Sequence, residues 1–168
     1  MTDWRPNLDW ITPELAVGGS FPTERAEHLA QALGIGAVVD LRAEACDDEA
    51  LLRRCGLEFL HLPTIDHHAV SPAMLAAGVA FARHQLETGR RVLIHCEHGI
   101  GRSALLALCV LVDGGMDPLE ALELAKSRRP HVSPSPAQYE AWQDWLGARG
   151  LKPPGFDAFA VVAYRHLR

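Results

Sequence analysis

A short apolar run, Arg91-Val92-Leu93-Ile94-His95, passes directly into a turn that carries two glycines, and the turn passes into a second apolar run beginning Ser103-Ala104-Leu105-Leu106-Ala107-Leu108. The first run predicts a strand covered on both faces, because it shows no polar alternation. The second predicts a helix that ends near Gly114-Gly115. A strand buried on both sides needs layers above and below it, and this requirement narrows the fold more than any other feature of the chain.

The remaining elements fit such a fold. Ala37-Val38-Val39-Asp40-Leu41 reads as a second doubly buried strand, and Leu57-Glu58-Phe59-Leu60-His61-Leu62 as a further strand with more alternation. Residues 8–10 and 15–17 supply an N-terminal hairpin or edge pair. Helix starts are punctuated by Ser71-Pro72, Asp117-Pro118 and Ser135-Pro136, the last with Gln138 in the capping-box position. Residues 23–34 and 47–56 read as two earlier helices. Strands alternating with helices predict an α/β fold: a central, mostly parallel sheet flanked by helices, with ligands bound beyond the carboxyl ends of the strands. No repeat or linker divides the chain, so residues 1–168 are expected to form a single domain, with 151–168 as an apolar tail packed on it.

Bulk composition excludes several function classes. The net charge of −5 offers no field for nucleic acid or an anionic membrane, so neither is expected as a partner. No run approaches membrane-spanning length, and the N-terminus lacks an apolar signal core. Four cysteines at irregular spacing, Cys46, Cys55, Cys96 and Cys109, fit a reducing, cytoplasmic setting. Nothing in the sequence fixes an oligomeric state.

The turn after Ile94 reads Cys96-Glu97-His98-Gly99-Ile100-Gly101-Arg102. A cysteine and an arginine six apart are a weak signal alone, since a chain of this composition supplies about a third of such a match by chance. The strand before it, the two glycines within it and the helix after it make it specific. The amides of residues 97–102 can converge on one centre, and the helix dipole favours negative charge there. Gly99 and Gly101 permit close backbone approach. Arg102 supplies a planar fork for phosphate oxygens, and a thiol at a helix N-terminus is shifted toward the thiolate. Together these predict a phosphate-monoester hydrolase in which Cys96 attacks phosphorus while the loop and Arg102 hold the equatorial oxygens. The leaving oxygen needs an acid, and Asp66, just past the strand that ends near Leu62, is the candidate.

His95-Cys96-x5-Arg102-Ser103, with Asp66 lying 30 residues ahead of the cysteine, resembles the dual-specificity branch of the protein tyrosine phosphatases. Val39-Asp40-Leu41-Arg42-Ala43-Glu44 is similar to that family's early strand and turn, and Arg129-Pro130-His131-Val132-Ser133-Pro134 to its later segment. The resemblance implies Cys96 as nucleophile, Arg102 as phosphate clamp and Asp66 as general acid. It implies His95 as a loop-orienting residue that helps keep the thiol ionised, and Ser103 as the hydroxyl that assists breakdown of the phosphocysteine. Gln138 matches a position that helps place water in some relatives. The expected partner is a phosphorylated protein or a small phosphomonoester, with no cofactor and no metal.

Other readings stay open at this level. The same chemistry fits a phospholipid, and a non-catalytic phosphate-binding module shares the loop. Glu97, pointing outward, is expected to repel extra phosphates. Arg42 and Arg129 are expected to be structural ion-pair partners. His67 and His68 are expected on the solvent side of the Asp66 loop, and Cys109, Trp142 and Trp145 in the packing.

Overall fold

A computed structural model describes residues 4–167. Residues 1–3 and 168 of the expected domain lie outside the described residues. Five strands form one sheet: β1 (Leu8–Thr12), β2 (Leu15–Gly18), β3 (Ile35–Arg42), β4 (Glu58–Thr64) and β5 (Arg91–His95). Their order is β1-β2-β5-β3-β4, antiparallel between β1 and β2 and parallel elsewhere. The N-terminal edge pair is thus a hairpin, and β5 occupies the centre, where a strand must be apolar on both faces. Strand β4 continues past the expected Leu62 through Pro63 to Thr64. A proline lacks the N–H that a central strand would use, but β4 is the sheet edge and tolerates it.

Helices cover both faces. On one side lie α1 (Ala26–Gln31) and α2 (Glu49–Arg54) over the smaller cluster around Leu29, Val38, Leu52 and Leu93. The expected helix over 23–34 is split into a 3₁₀ turn, Thr23–Arg25, and α1. Asp48, not Asp47, caps α2 by accepting from Leu51 N, because the Asp47 carboxylate is drawn inward by Arg42 and His95. On the other side lie α3 (Pro72–Glu87), α4 (Arg102–Asp113), α5 (Pro118–Arg128), α6 (Pro136–Ala148) and α7 (Phe156–Ala163).

The three serine or aspartate caps sit where the sequence punctuation puts them: Ser71, Asp117 and Ser135 each accept from the first turn. Ser135 and Gln138 close a reciprocal capping box. Helix α4 is buried all round from Arg102 to Val112, so it is the axis of the helical layer and its start point is rigidly set. Helix α3 packs on α4 through Gly78, where an added Cβ would fall 2.8 Å from Leu106 Cδ1 and 2.9 Å from Leu62 Cδ1. The C-terminal segment is held by buried Lys126, whose ammonium donates to Val132 O at 2.7 Å and Ala163 O at 2.6 Å and meets His166 Nδ1 at 2.6 Å. Phe159 of α7 is fully buried against Tyr139, with ring centroids 4.7 Å apart.

Gly78→Val forces the α3–α4 seam apart. The expected outcome is a loss of about 2 kcal/mol in unfolding free energy, read from the urea midpoint at unchanged m-value.

Candidate active site

All four parallel strands deliver their carboxyl ends to one place. Strand β5 leads into Cys96, β2 into Gly19, β3 into Ala43-Glu44 and β4 into Ile65-Asp66. Register explains the neighbourhood, since His95 pairs with Gly18 on one side and Asp40 on the other, and Arg42 pairs with Thr64.

The turn from Cys96 to Arg102 is pinned from outside. Cys96 N donates to Gly18 O at 3.3 Å, Ser20 N donates to Glu97 O at 2.9 Å, and Arg129 donates through Nε to Gly99 O at 2.8 Å and through NH2 to His98 O at 3.0 Å. With the carbonyls turned outward to these donors, the amides are left to face inward. Gly99 adopts φ +71°, and a Cβ there would fall 2.5 Å from Gly18 C, so both the backbone angle and the space demand glycine. At Gly101 a Cβ would fall 2.6 Å from Gln138 Oε1, so a side chain there would displace the Gln138 amide. Helix α4 begins at Gly101 with no side-chain cap.

Cys96 is 2% exposed, and its sulfur sits among polar groups: Ser103 Oγ at 3.2 Å and the Gly99 amide, which donates at 3.3 Å. Among the described residues, Gly99 N is the one amide of residues 97–101 with a protein acceptor.

Arg102 is 1% exposed, yet its guanidinium is well partnered on one edge. NH1 donates to Glu44 Oε1 and to Thr64 O, both at 2.7 Å, and NH2 donates to Glu44 Oε2 at 2.8 Å. The edge that the sequence reading assigned to phosphate is therefore engaged by Glu44. The opposite corner is open: buried Nε has no hydrogen-bond acceptor, and the nearest carboxylate oxygen, Asp66 Oδ1, stands 3.5 Å away. An unpaired buried donor costs about 1–3 kcal/mol, so its presence next to the cysteine loop marks a place for an oxygen acceptor. The bond from Arg102, ahead of any smaller influence, pulls the Glu44 carboxyl down to about 2.

Behind the loop lies a buried charge network that the sequence reading did not assemble. Asp40 Oδ1 accepts from Arg42 N and Nε, both at 3.0 Å, and Oδ2 from Arg42 NH2 at 3.1 Å and Asp47 N at 3.0 Å. Arg42 also reaches Asp47 Oδ1 at 3.1 Å and Glu97 Oε2 at 3.2 Å. Burial alone would raise the Asp40 carboxyl, but the bonds from Arg42 outweigh it and the net direction is down. His95, fully buried, closes the network: Nε2 lies 2.5 Å from Asp47 Oδ2 and Nδ1 lies 3.2 Å from Cys96 O. Contrary to the expectation from the sequence, Glu97 is not directed outward. Its carboxylate bends back to Arg42 and to Ser20 Oγ, which donates at 3.3 Å.

A cleft of about 200 Å³ opens above the sulfur, lined by Asp66, His67, Cys96, His98, Ile100, Gly101, Ser133 and Gln138. Asp66 Oδ1 accepts from His67 N at 2.9 Å, which fixes the carboxylate beside Arg102 and holds His67 at φ +65°. Such a left-handed residue is strained unless its surroundings hold it, and Ser135 Oγ does so by donating to His67 O at 2.8 Å. Gln138 lines the cleft while its amide is committed to Ser135 N at 2.9 Å and His68 O at 3.2 Å. Cys46, Cys55 and Cys109 are free thiols outside the cleft.

Two groups among the described residues bring ligand atoms within 4.8 Å of one another, Asp40-Cys46-His61 and Asp40-Asp47-His95. Both depend on Asp40, whose two oxygens already hold four N–H donors, so the Arg42 guanidinium occupies the cation's place.

A cysteine loop at the carboxyl edge of this sheet, with its arginine opening a buried helix, places the domain in the protein tyrosine phosphatase superfamily. The family model for the dual specificity phosphatase catalytic domain matches residues 19–145, and the chain belongs to that family. Among its relatives, it is 28% identical over 146 residues to the phosphatidylglycerophosphate phosphatase PTPMT2 of Arabidopsis thaliana, covering 84% of this chain and 62% of that protein. It is 32% identical over 128 residues to human dual specificity protein phosphatase 2, covering 74% of this chain and 39% of that protein. The chain thus spans less than two thirds of either relative. The crystal structure of Tk-PTP in the active form superposes with a TM-score of 0.77 at 25% identity, covering 86% of this chain and 99% of that one.

Glu44 binds its proton more weakly in the folded state than in the unfolded chain. The stability it contributes is therefore complete above the ordinary range near 4.5 and is lost as pH falls through about 2. The expected outcome for Glu44→Gln is a deficit in urea midpoint relative to the parent that is constant above about pH 6 and shrinks steadily as pH is lowered from 5 toward 3.

Proposed function

We propose that this domain hydrolyses phosphate monoesters through a phosphocysteine at Cys96, with phosphotyrosine and phosphoserine or phosphothreonine of proteins as its substrates. One observation carries the reading: the Nε of buried Arg102 has no hydrogen-bond acceptor and stands 3.5 Å from Asp66 Oδ1, and Asp66 lines the cleft that also holds Cys96. A phosphate dianion supplies the acceptor that this donor lacks.

In this reading the thiolate of Cys96 attacks phosphorus as the bond to the leaving oxygen breaks, and Asp66 passes its proton to that oxygen. A water then attacks the phosphocysteine, giving its proton to the Asp66 carboxylate. The S–P bond breaks to release inorganic phosphate, and Ser103 Oγ, 3.2 Å from the sulfur, donates to the departing thiolate. Glu44 and the carbonyl of Thr64 keep the guanidinium aimed, and Asp47 orients His95. Gln138 stands at the cleft wall, with one hydrogen of its amide left to position water.

Residues 1–168 act as one catalytic unit in a reducing, cytoplasmic setting, which the four free thiols favour. No helix among the described residues is long and apolar enough to cross a membrane. A phospholipid is the second reading of the substrate, favoured by the similarity to a phosphatidylglycerophosphate phosphatase.

Hydrolysis of para-nitrophenyl phosphate is the first test. Cys96→Ser is expected to lower kcat by at least about 10⁴-fold with the fold intact by circular dichroism. A variant that still turns over at the parental rate removes the nucleophile from this account. Asp66→Asn is expected to slow an alkyl phosphate, with its poor leaving group, about 10²-fold or more, and the activated aryl ester far less. Equal slowing of both would assign the acid elsewhere.

A further inference from the structure

A second cavity, of about 600 Å³ against about 200 Å³ for the catalytic cleft, lies between α3 and α6. Its floor is apolar, formed by Val70 and Leu75 on one side and Ala141 and Trp145 on the other. Its rim is acidic. Glu140 and Asp144, one helical turn apart on α6, are both exposed, and neither has an ion-pair partner among the described residues. Arg149, the cation on the rim, is already bonded to Asp113 and lies over the Trp145 ring, 4.5 Å from its centroid.

The cavity and the cleft share a wall. Asp66 and His67 line the cleft, residues 69–72 line the cavity, and the segment between is bolted to the start of α6 by the bonds from Ser135 Oγ to His67 O and from Gln138 Nε2 to His68 O. A ligand lying across this ridge therefore touches both. The ridge from Asp66 to Val70 is four residues long, at most about 14 Å of extended chain.

The rim decides the chemistry of the occupant. Two unpaired carboxylates above an apolar floor repel an anionic lipid surface and attract an apolar group that carries a neighbouring cation. We propose that this cavity docks the phosphoprotein substrate itself, taking a large apolar side chain next to a lysine or arginine about three to five residues from the phosphorylated residue. The proposal rests on the phosphatase reading above and names the substrate segment that the reading leaves open. The cleft then supplies the chemistry and the cavity selects among phosphoproteins, through contacts that small aryl phosphates never make.

The test compares phosphotyrosine dodecapeptides that carry Leu-Arg four residues from the phosphotyrosine, on either side, with the same peptides carrying Ser-Ser. One anchored peptide is expected to show a KM at least about tenfold lower than its control, with kcat unchanged. In the double variant Glu140→Lys, Asp144→Lys that advantage is expected to fall to within about twofold, while para-nitrophenyl phosphate kinetics stay at the parental value. Equal KM for all peptides overturns the proposal, as does an advantage that survives the charge reversal. Phosphatidate in neutral vesicles is the third arm: if filling the floor with Ala141→Phe slows the lipid and spares the anchored peptide, the cavity is an acyl-chain site instead. Calorimetry with the unphosphorylated anchored peptide on Cys96→Ser separates the two readings. Binding that is lost on charge reversal upholds the dock even if the aryl ester is never cleaved, whereas cleavage without such binding upholds the reaction and removes the dock.

Discussion

A guanidinium with 1% of its surface exposed has to be answered where it lies, and the answer given to Arg102 organises this end of the molecule. Glu44 and the Thr64 carbonyl come from the ends of β3 and β4, whereas Arg102 follows β5. The ion pair therefore forms only if β5, β3 and β4 lie side by side in parallel, which is the observed order. Satisfying one edge of the fork also fixes the other. Because Glu44 takes NH1 and NH2, the torsional freedom of the side chain is spent and Nε is left without an acceptor, 3.5 Å from Asp66 Oδ1. In the proposed reaction the guanidinium is thus aimed before the substrate arrives, which is what stabilisation of a developing charge requires.

The second buried cation acts on the loop from behind. Arg42 bonds to Asp40 and Asp47 and still reaches Glu97, so one guanidinium ties strand β3, the start of α2 and the first residue after the cysteine into a single rigid body. His95 joins the same body through Asp47. Breaking such a network by removing one member leaves a buried charge without its partner, which is costlier than the pair is worth. The Cys96 backbone is accordingly held on both sides, by Gly18 in β2 and by the His95 ring, and the sulfur's position is a consequence of packing and not of loop preference.

Much of this was legible in the sequence because the signals were local. The doubly buried β5, the capped starts of α3, α5 and α6, and the strand-loop-helix around Cys96 each follow from residues within about twenty positions of one another. What the sequence left dark is all long-range. Glu44 lies 58 residues from Arg102 and Asp47 lies 48 residues from His95, and no spacing rule couples them. The trace that could have exposed the network is the presence of Asp40 and Arg42 inside an otherwise apolar strand, where a charge has to find a partner. The same tertiary demand explains why α2 starts later than the expected residue 47: Asp47 is held by His95, and Asp48 caps the helix. The inward turn of Glu97 was beyond reach for the same reason: its direction is set by Arg42, 55 residues away.

These contacts bear on how a chain of net charge −5 can hold an anion at all. The carboxylates nearest the loop each meet a guanidinium: Glu44 and Asp66 that of Arg102, Glu97 and Asp47 that of Arg42. Against them stand the loop amides and the helix start, which carry positive partial charge. Among the described residues, no lysine or arginine lines the cleft; the Asp66 carboxylate, the imidazoles of His67 and His98 and the apolar side chain of Ile100 do. The carboxylate at position 97, which the sequence suggested would point outward, is turned back to Arg42 and is not part of that lining.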